Sequence, residues 1–258
     1  MSFLQVFRVY DVPYTRIRLG SPNDGGYVLL DEIAARSKAL YTYGVDDDVR
    51  FELDFVKRYP ETNAHLFDHT VESISVKDDN IFFTREGISK WPGDETNTLE
   101  HHLASNGDLD TPKTLKMDIE WNEWDVFENM PADVLDSFDQ ILCEFHLVPI
   151  EYNGSHTEFF TGYHKDVYAK MNWDLFARYS RILRKIQSYY YIYHVHINNS
   201  LPLADVLGAK VPQLVEVSMV NRKLVPRSIL TDTKFPVEGL DSPNKPWKDD
   251  VVVEWNKP

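Results

Sequence analysis

The sequence predicts an α/β fold: a mostly parallel sheet with helices on both faces and an antiparallel strand pair at one edge. Three observations predict it. Apolar runs of strand length alternate with amphipathic stretches over roughly the first 150 residues. A long segment with apolar residues at helical spacing comes next, and two long strand patterns joined by a short turn-rich segment follow it. The chain has 258 residues, 43% of them apolar, enough for one large core. No linker composition interrupts it, so a single domain over 1–258 is expected, with 1–36 as an N-terminal extension and 225–258 as a tail wrapping the surface.

The strand patterns are "ALYTYGV" (39–45), "AHLFDH" (64–69), "NIFFTREGI" (80–88), "TLKMDIE" (114–120) and "DQILCEFHL" (139–147). Between them, "DVRFELDFVKRY" (48–59), "TLEHHLAS" (98–105) and "EWDVFENMP" (123–131) read as crossover helices, the first with Asp48 as its N-cap. Residues 164–188 place Val167, Met171, Leu175, Phe176, Tyr179, Ile182 and Ile186 on one helical face. "YYYIYHVHINNS" (189–200) and "VPQLVEVSMVNRKL" (211–224) then form the expected antiparallel pair.

Composition narrows the function classes. A net charge of -14 with no basic stripe repels a phosphate backbone, so nucleic acid is not an expected partner. No apolar run reaches the roughly 18–20 residues of a membrane span, and the first twenty residues lack the apolar core and cleavage site of a signal peptide. The expected setting is intracellular and cytoplasmic. Cys143 is the only cysteine, which excludes an internal disulfide and a thiolate zinc site. The sequons at Asn153 and Asn198 therefore carry little weight.

Each of the five apolar runs ends in charge or glycine: Gly44–Asp48, Asp68 with His69, Arg85–Gly87, Asp118 with Glu120, and Glu144 with His146. In an open parallel sheet, ligands bind beyond the carboxyl ends of the strands, so this is where chemistry belongs. Residues two apart on a strand share a face, which pairs Asp118 with Glu120, Glu144 with His146, and His194 with His196. Such carboxylates and imidazoles can deprotonate a hydroxyl or hold a divalent metal. They can also be structural, with Glu120 or Glu144 paired to Lys116 or Arg85. "YGVDDD" has one glycine where a dinucleotide fingerprint needs three, so pyrophosphate docking is not expected. Asp68 stands where an acidic side chain would accept from a ribose diol.

The series "RLGSPNDGGYVLLD" (18–31), "YTYGVDDDVRFELDF" (41–55), "HLFDHT" (65–70), "REGI" (85–88), "TLEHHL" (98–103), "LKMDIEWNEWDVF" (115–127) and "ILCEFH" (141–146) resembles the FkbM-type and methyltransferase-like families of S-adenosylmethionine-dependent O-methyltransferases. The resemblance covers about residues 16–150. It implies a Rossmann-like, seven-stranded class I methyltransferase fold with an antiparallel last strand, and an N-terminal extension acting as a lid over substrate and cofactor. The methionine part of the cofactor would lie against Gly44, Tyr43 and Asp46, the ribose hydroxyls on Asp68 beside His69, and the adenine near Gly87 and Ile88. Asp118 would stand beside the sulfonium and the acceptor hydroxyl, and Glu120 and Glu123 match the acidic positions of a D-I-E-G-x-E pattern. Trp121 and Asn122 depart from that pattern, which has glycine and a small residue there.

Two catalytic routes use the same residues. A general base, His146 or Asp118, accepts the hydroxyl proton; or a magnesium or manganese ion on Asp118, Glu144 and His146 stabilises the alkoxide. The expected acceptor is a sugar or glycan hydroxyl, or another small alcohol. Two other classes compete: a nucleotide-sugar glycosyltransferase using Asp46–Asp48 as a D-x-D clamp, and a noncatalytic methyltransferase-like binding module, suggested by the departure at Trp121 and Asn122.

Overall fold

All five apolar runs become parallel strands: β1 (Ala39–Tyr43), β2 (Asn63–Phe67), β3 (Ile81–Thr84), β4 (Lys113–Met117) and β5 (Gln140–His146). The last two sheet strands are β6 (Tyr190–Ile197) and β7 (Leu214–Asn221). A computed structural model describes residues 6–147, 165–206 and 209–252 of the chain. Asn153, His164, and the outer ends of the expected extension (1–5) and tail (253–258) lie outside the described residues.

The seven strands form one sheet in the order β3-β2-β1-β4-β5-β7-β6. Strand β7 runs antiparallel to both β5 and β6. The antiparallel edge expected from sequence is present, with β7 as its inner member. Strand order reverses between β1 and β4, which makes their carboxyl ends the switch point where a parallel sheet opens a ligand crevice.

The main helices are α1 (Arg50–Arg58), α2 (Leu99–Asn106), α3 (Glu123–Asn129) and α4 (Lys165–Tyr189). Helix α1 forms because Phe51, Phe55 and Val56 lie on one face and bury it, while Lys57 and Arg58 sit in the last turn, where cations suit the helix dipole. Asp48 is not its N-cap. That position is Val49, and Asp48, one residue before it, accepts from the Arg50 N–H at 3.1 Å. Thr98 caps α2 through its hydroxyl, accepting from the His101 N–H at 3.2 Å, and Gly107 ends the helix at φ 77°. "NIFFTREGI" does not stay one strand: it breaks after Thr84, and Gly87–Ile88 pair instead with Thr96–Asn97.

The two faces of the sheet differ in chemistry. One carries Tyr41, Tyr43, Met117, Cys143, Phe145 and Val217 against Trp124, Phe127, Tyr179, Leu183 and Ile186 of α3 and α4, which form the main apolar core. Trp124 stacks on Tyr179 at 3.7 Å and donates its indole N–H to the His146 carbonyl at 2.7 Å, tying α3 and α4 to β5. The other face is apolar beneath α1, where Leu40, Ala64, Leu66 and Leu142 meet Phe51 and Phe55, and in a smaller cluster where Val220 meets Leu30, Ile33 and Val225. Beyond that it buries Thr42, Lys116, Gln140, Glu144, Glu216, His194 and His196.

An antiparallel hairpin, Arg16–Gly20 with Gly26–Leu30, covers this polar face. Its backbone satisfies some of the polar groups: Gln140 accepts from the Leu30 N–H at 3.1 Å, and Ser218 donates to the Val28 carbonyl at 2.7 Å. The expected extension is thus a built layer of the fold. No described helix is long and apolar enough to cross a membrane.

The tail closes the remaining polar strip over the β6 edge. His194 and His196 do share a side, as their spacing requires, and both meet tail carboxylates. The His194 Nε2 lies 2.8 Å from Asp241, and His196 lies between Glu216 at 3.2 Å and Asp250 at 3.1 Å. Burial opposes charge on His196, but Asp250 and Glu216 outweigh it and raise its pKa to about 10. Burial depresses His194, which stays neutral and donates to Asp241.

The signs give opposite pH limbs. The His196 contribution is complete below about 6.5, the unfolded value, and is lost as pH rises toward about 10. The His194 contribution is complete above about 6.5 and is lost as pH falls. Thermal melts from neutral pH to about pH 10 are expected to show falling stability in the native chain and a much flatter alkaline limb in His196→Gln. An unchanged slope in the variant would count against the pairing.

Candidate active site

At the switch point the β1 and β4 loops interlock. Gly44 has φ 76°, and a Cβ there would overlap the Asp118 carbonyl oxygen, so the loop accepts only glycine. The Gly44 N–H donates to Phe67 O at 3.2 Å and the Asp118 N–H to Tyr43 O at 3.0 Å, which ties the ends of β1, β2 and β4 together. The side chain of Tyr43 does not join the crevice. It lies on the opposite face, its hydroxyl 2.9 Å from His102 Nδ1, and His102 Nε2 reaches Glu86 at 3.0 Å.

Asp68 fastens the first loop. Its Oδ2 accepts from the N–H groups of Val45 at 2.9 Å and Asp46 at 3.1 Å, and its Oδ1 from the N–H of Thr70 at 2.8 Å and the Thr70 hydroxyl at 2.6 Å. These bonds outweigh burial and hold its carboxyl below the ordinary range. About four acceptor positions exist on a carboxylate, and all are engaged here. Asp46 is exposed at φ 49°. Asp48 is held by Arg50 through two hydrogen bonds, at 2.8 and 2.6 Å, so its carboxylate already has a cationic partner. His69 is exposed and stands over Gly87, where an added Cβ would come 2.6 Å from its Nδ1; Gly87 and Ile88 are buried beside it.

The chemistry gathers around Asp118. Its Oδ2 accepts from the Tyr27 hydroxyl at 3.1 Å, a contact supplied by the hairpin. Next to it, His146 ends β5 with its Nδ1 2.9 Å from Glu123 Oε1 and its Nε2 3.1 Å from Glu120 Oε2. Glu123 is fully buried; its Oε1 also accepts from the Ile119 N–H at 3.1 Å, while its Oε2 has no hydrogen-bond partner. Asp118, Glu123 and His146 each offer a ligand atom, all within 4.8 Å of one another, a set that fits a divalent cation. Glu144 is not in that set. It accepts from Asn198 Nδ2 at 2.8 Å and lies directly across from Glu216 on β7.

Electrostatics divides the roles. Burial pushes Asp118 up to about 6, with the positive charges of His146 and Lys116 working against the shift. Burial and the charge of Asp118 raise Glu144 well above the carboxylate range. Burial opposes charge on His146, yet the hydrogen bonds to Glu120 and Glu123 raise its pKa well above the ordinary value. At neutral pH His146 is therefore an imidazolium donating from both nitrogens, with no lone pair for a proton. Asp118 is the group poised to accept one.

Sequence reasoning missed Tyr27 as a partner of Asp118 and placed Glu144, in place of Glu123, in the metal set. The signals were present: Tyr27 closes the "DGGY" motif, and Glu123 is the last acidic residue of "DIEWNE". Lys116 has a partner that neither charge pattern indicated, Glu52 on α1, at 3.3 Å. Arg85 pairs with Glu72 at 3.0 Å.

No family model and no curated protein matches the sequence. Among solved structures, human N-acetylserotonin methyltransferase in complex with SAM matches at 9% identity over 72% of this chain and 48% of that one, with a TM-score of 0.32. The chain spans about half the length of that protein. The antibiotic-resistance methyltransferase Kmr matches at 10% identity over 80% of this chain and 100% of that one, with a TM-score of 0.32. A point mutant of the 16S rRNA (adenine(1408)-N(1))-methyltransferase from Catenulisporales acidiphilia matches at 11% identity over 78% of this chain and 98% of that one, with a TM-score of 0.35. At these values the likeness carries no argument, and the fold stands on the strand order itself.

Proposed function

We propose that the chain is an S-adenosylmethionine-dependent O-methyltransferase acting on a hydroxyl of a sugar or glycan. One observation carries the reading: a carboxylate with pKa about 6, Asp118, at the carboxyl end of β4 where the strand order reverses. The FkbM-type motif series supports the family, and the carboxylates of Asp118 and Glu120 suit a positively charged donor. When bound, that donor supplies an electrophilic methyl group on a sulfonium sulfur. Asp118 would take the acceptor proton as the acceptor oxygen gains the methyl carbon and the carbon–sulfur bond breaks, leaving the neutral thioether, and Tyr27 holds the carboxylate in position through its hydroxyl. The His146 imidazolium keeps Asp118 from being pushed still higher and so keeps it ionised near neutral pH. Asp68 holds the Val45–Asp46 loop that would border the donor, and a ribose hydroxyl would share its already engaged oxygens.

Calorimetry tests the donor. Tight binding of S-adenosylhomocysteine with silence toward uridine and guanosine diphosphate sugars is expected, and the reverse pattern would return the glycosyltransferase reading. Asp68→Ala removes four hydrogen bonds from the loop anchor and is expected to weaken S-adenosylhomocysteine at least about tenfold. Unchanged affinity would remove Asp68 from the donor side.

A metal-assisted route is the second reading, favoured by the unpartnered Oε2 of buried Glu123. Magnesium or manganese on Asp118, Glu123 and His146 would stabilise the developing alkoxide, after His146 gives up a proton. Full turnover in excess chelator would exclude it.

A further inference from the structure

The turn from β4 into α3 holds two successive residues without glycine's freedom in the left-handed region: Glu120 at φ 51° and Trp121 at φ 82°. A bulky aromatic there is a genuine outlier, costly for any side chain with a Cβ. Glycine would relieve the position at once, yet the chain keeps an indole. Strain of this kind persists where the surroundings fix it, and such sites are disproportionately functional.

Both strained residues spend their side chains on the same spot. The Glu120 carboxylate, itself 82% exposed, meets His146 Nε2 at 3.1 Å. The Trp121 indole centres 5.4 Å from the His146 ring, tilted by 50°, and stays only partly buried. His146 in turn brings its ligand atom within 4.8 Å of that of Asp118. An indole and a carboxylate, both outside the apolar core, therefore meet the His146 ring that stands beside Asp118. Trp121 is absent from the apolar core, whereas Trp124, three residues on, fills it.

We propose that Trp121 is the acceptor platform, its indole receiving the apolar C–H face of a pyranose ring while ring hydroxyls donate to Glu120 and Asp118. This rests on the O-methyltransferase reading and names its acceptor class. A pyranose suits the pairing because it has one apolar face and a rim of hydroxyl donors, and ionised carboxylates accept from such donors in charge-assisted hydrogen bonds. The same reading turns the departure from the D-I-E-G-x-E pattern from a sign of lost catalysis into a specificity element.

The test uses the native chain, Trp121→Gly and Trp121→Phe. Thermal melting, S-adenosylhomocysteine affinity by calorimetry, and transfer of labelled methyl to methyl pyranosides and to simple phenols are read in parallel. Trp121→Gly is expected to melt higher, because the left-handed φ is relieved, and to bind S-adenosylhomocysteine within about threefold of the native chain. Its kcat/KM toward pyranosides is expected to fall at least about thirtyfold, mostly through KM, while Trp121→Phe keeps most of it. The proposal is overturned if Trp121→Gly keeps native kcat/KM, if it melts lower, or if the native chain binds S-adenosylhomocysteine but methylates only phenols or nothing in the panel. Failure of the native chain to bind S-adenosylhomocysteine would instead overturn the enzyme assignment.

Discussion

Asp118→Asn is expected to lower turnover by about 10²–10⁴-fold while leaving S-adenosylhomocysteine affinity nearly unchanged. The amide keeps the size of the side chain and can still accept from Tyr27, so the crevice retains its shape; only the proton acceptor is gone. His146 cannot substitute, since both of its nitrogens already carry protons directed at Glu120 and Glu123. In the native chain the acid limb of kcat/KM should rise through about pH 6, because Asp118 works ionised and its pKa is about 6. His146→Gln removes a positive charge that opposes the upward shift, so its acid limb should move to higher pH. Retention of more than about a tenth of native turnover in Asp118→Asn would defeat the general-base assignment, and would count equally against a metal held on the Asp118 carboxylate.

The strands were legible and the site only partly so, for one physical reason. Strand formation follows from apolar runs that any sheet would bury, so β1, β2, β4, β5, β6 and β7 appear within a few residues of their sequence patterns. The antiparallel edge was readable because two long strand patterns with so short a connection have no room for a crossover. Which partner a charged residue takes depends on contacts distant in sequence. Asp118 and Glu120 were expected to share a strand face, but the strand ends at Met117 and Glu120 lies in a left-handed turn. Glu144 and His146 do lie on one strand, yet their partners diverge, Glu144 toward Asn198 and His146 toward Glu120 and Glu123. Tyr27 reaches Asp118 across 91 residues of chain through a hairpin whose alternation, "RIRLG" against "GYVLL", is short enough to pass for loop. "NIFFTREGI" failed at Arg85 and Glu86, which leave the ladder, Arg85 for exposed Glu72 and Glu86 for buried His102.

Lys116→Met alone is expected to destabilise the chain by about 3–5 kcal/mol, and Glu52→Gln alone by a similar amount, whereas Lys116→Met combined with Glu52→Leu should come out near neutral. The two charges lie 3.3 Å apart under the hairpin, Glu52 fully buried and Lys116 nearly so, with the ammonium 5.1 Å from the centre of the Tyr27 ring and 5.7 Å from that of Phe51. Removing one partner leaves the other charged and unpaired in an apolar enclosure. Removing both trades an ion pair for packing against the same two rings. A double-mutant cycle by urea unfolding measures the coupling, and single-variant costs below about 1 kcal/mol would mean that water reaches the pair. The stable double variant then isolates a functional consequence. Lys116 is one of the two positive charges that restrain the pKa of Asp118, so replacing it should move the acid limb of kcat/KM to higher pH even where stability has recovered. That displacement would tie the charge buried in β4 to proton transfer at its end, and an unmoved limb would confine Lys116 to holding α1 and the hairpin on the sheet.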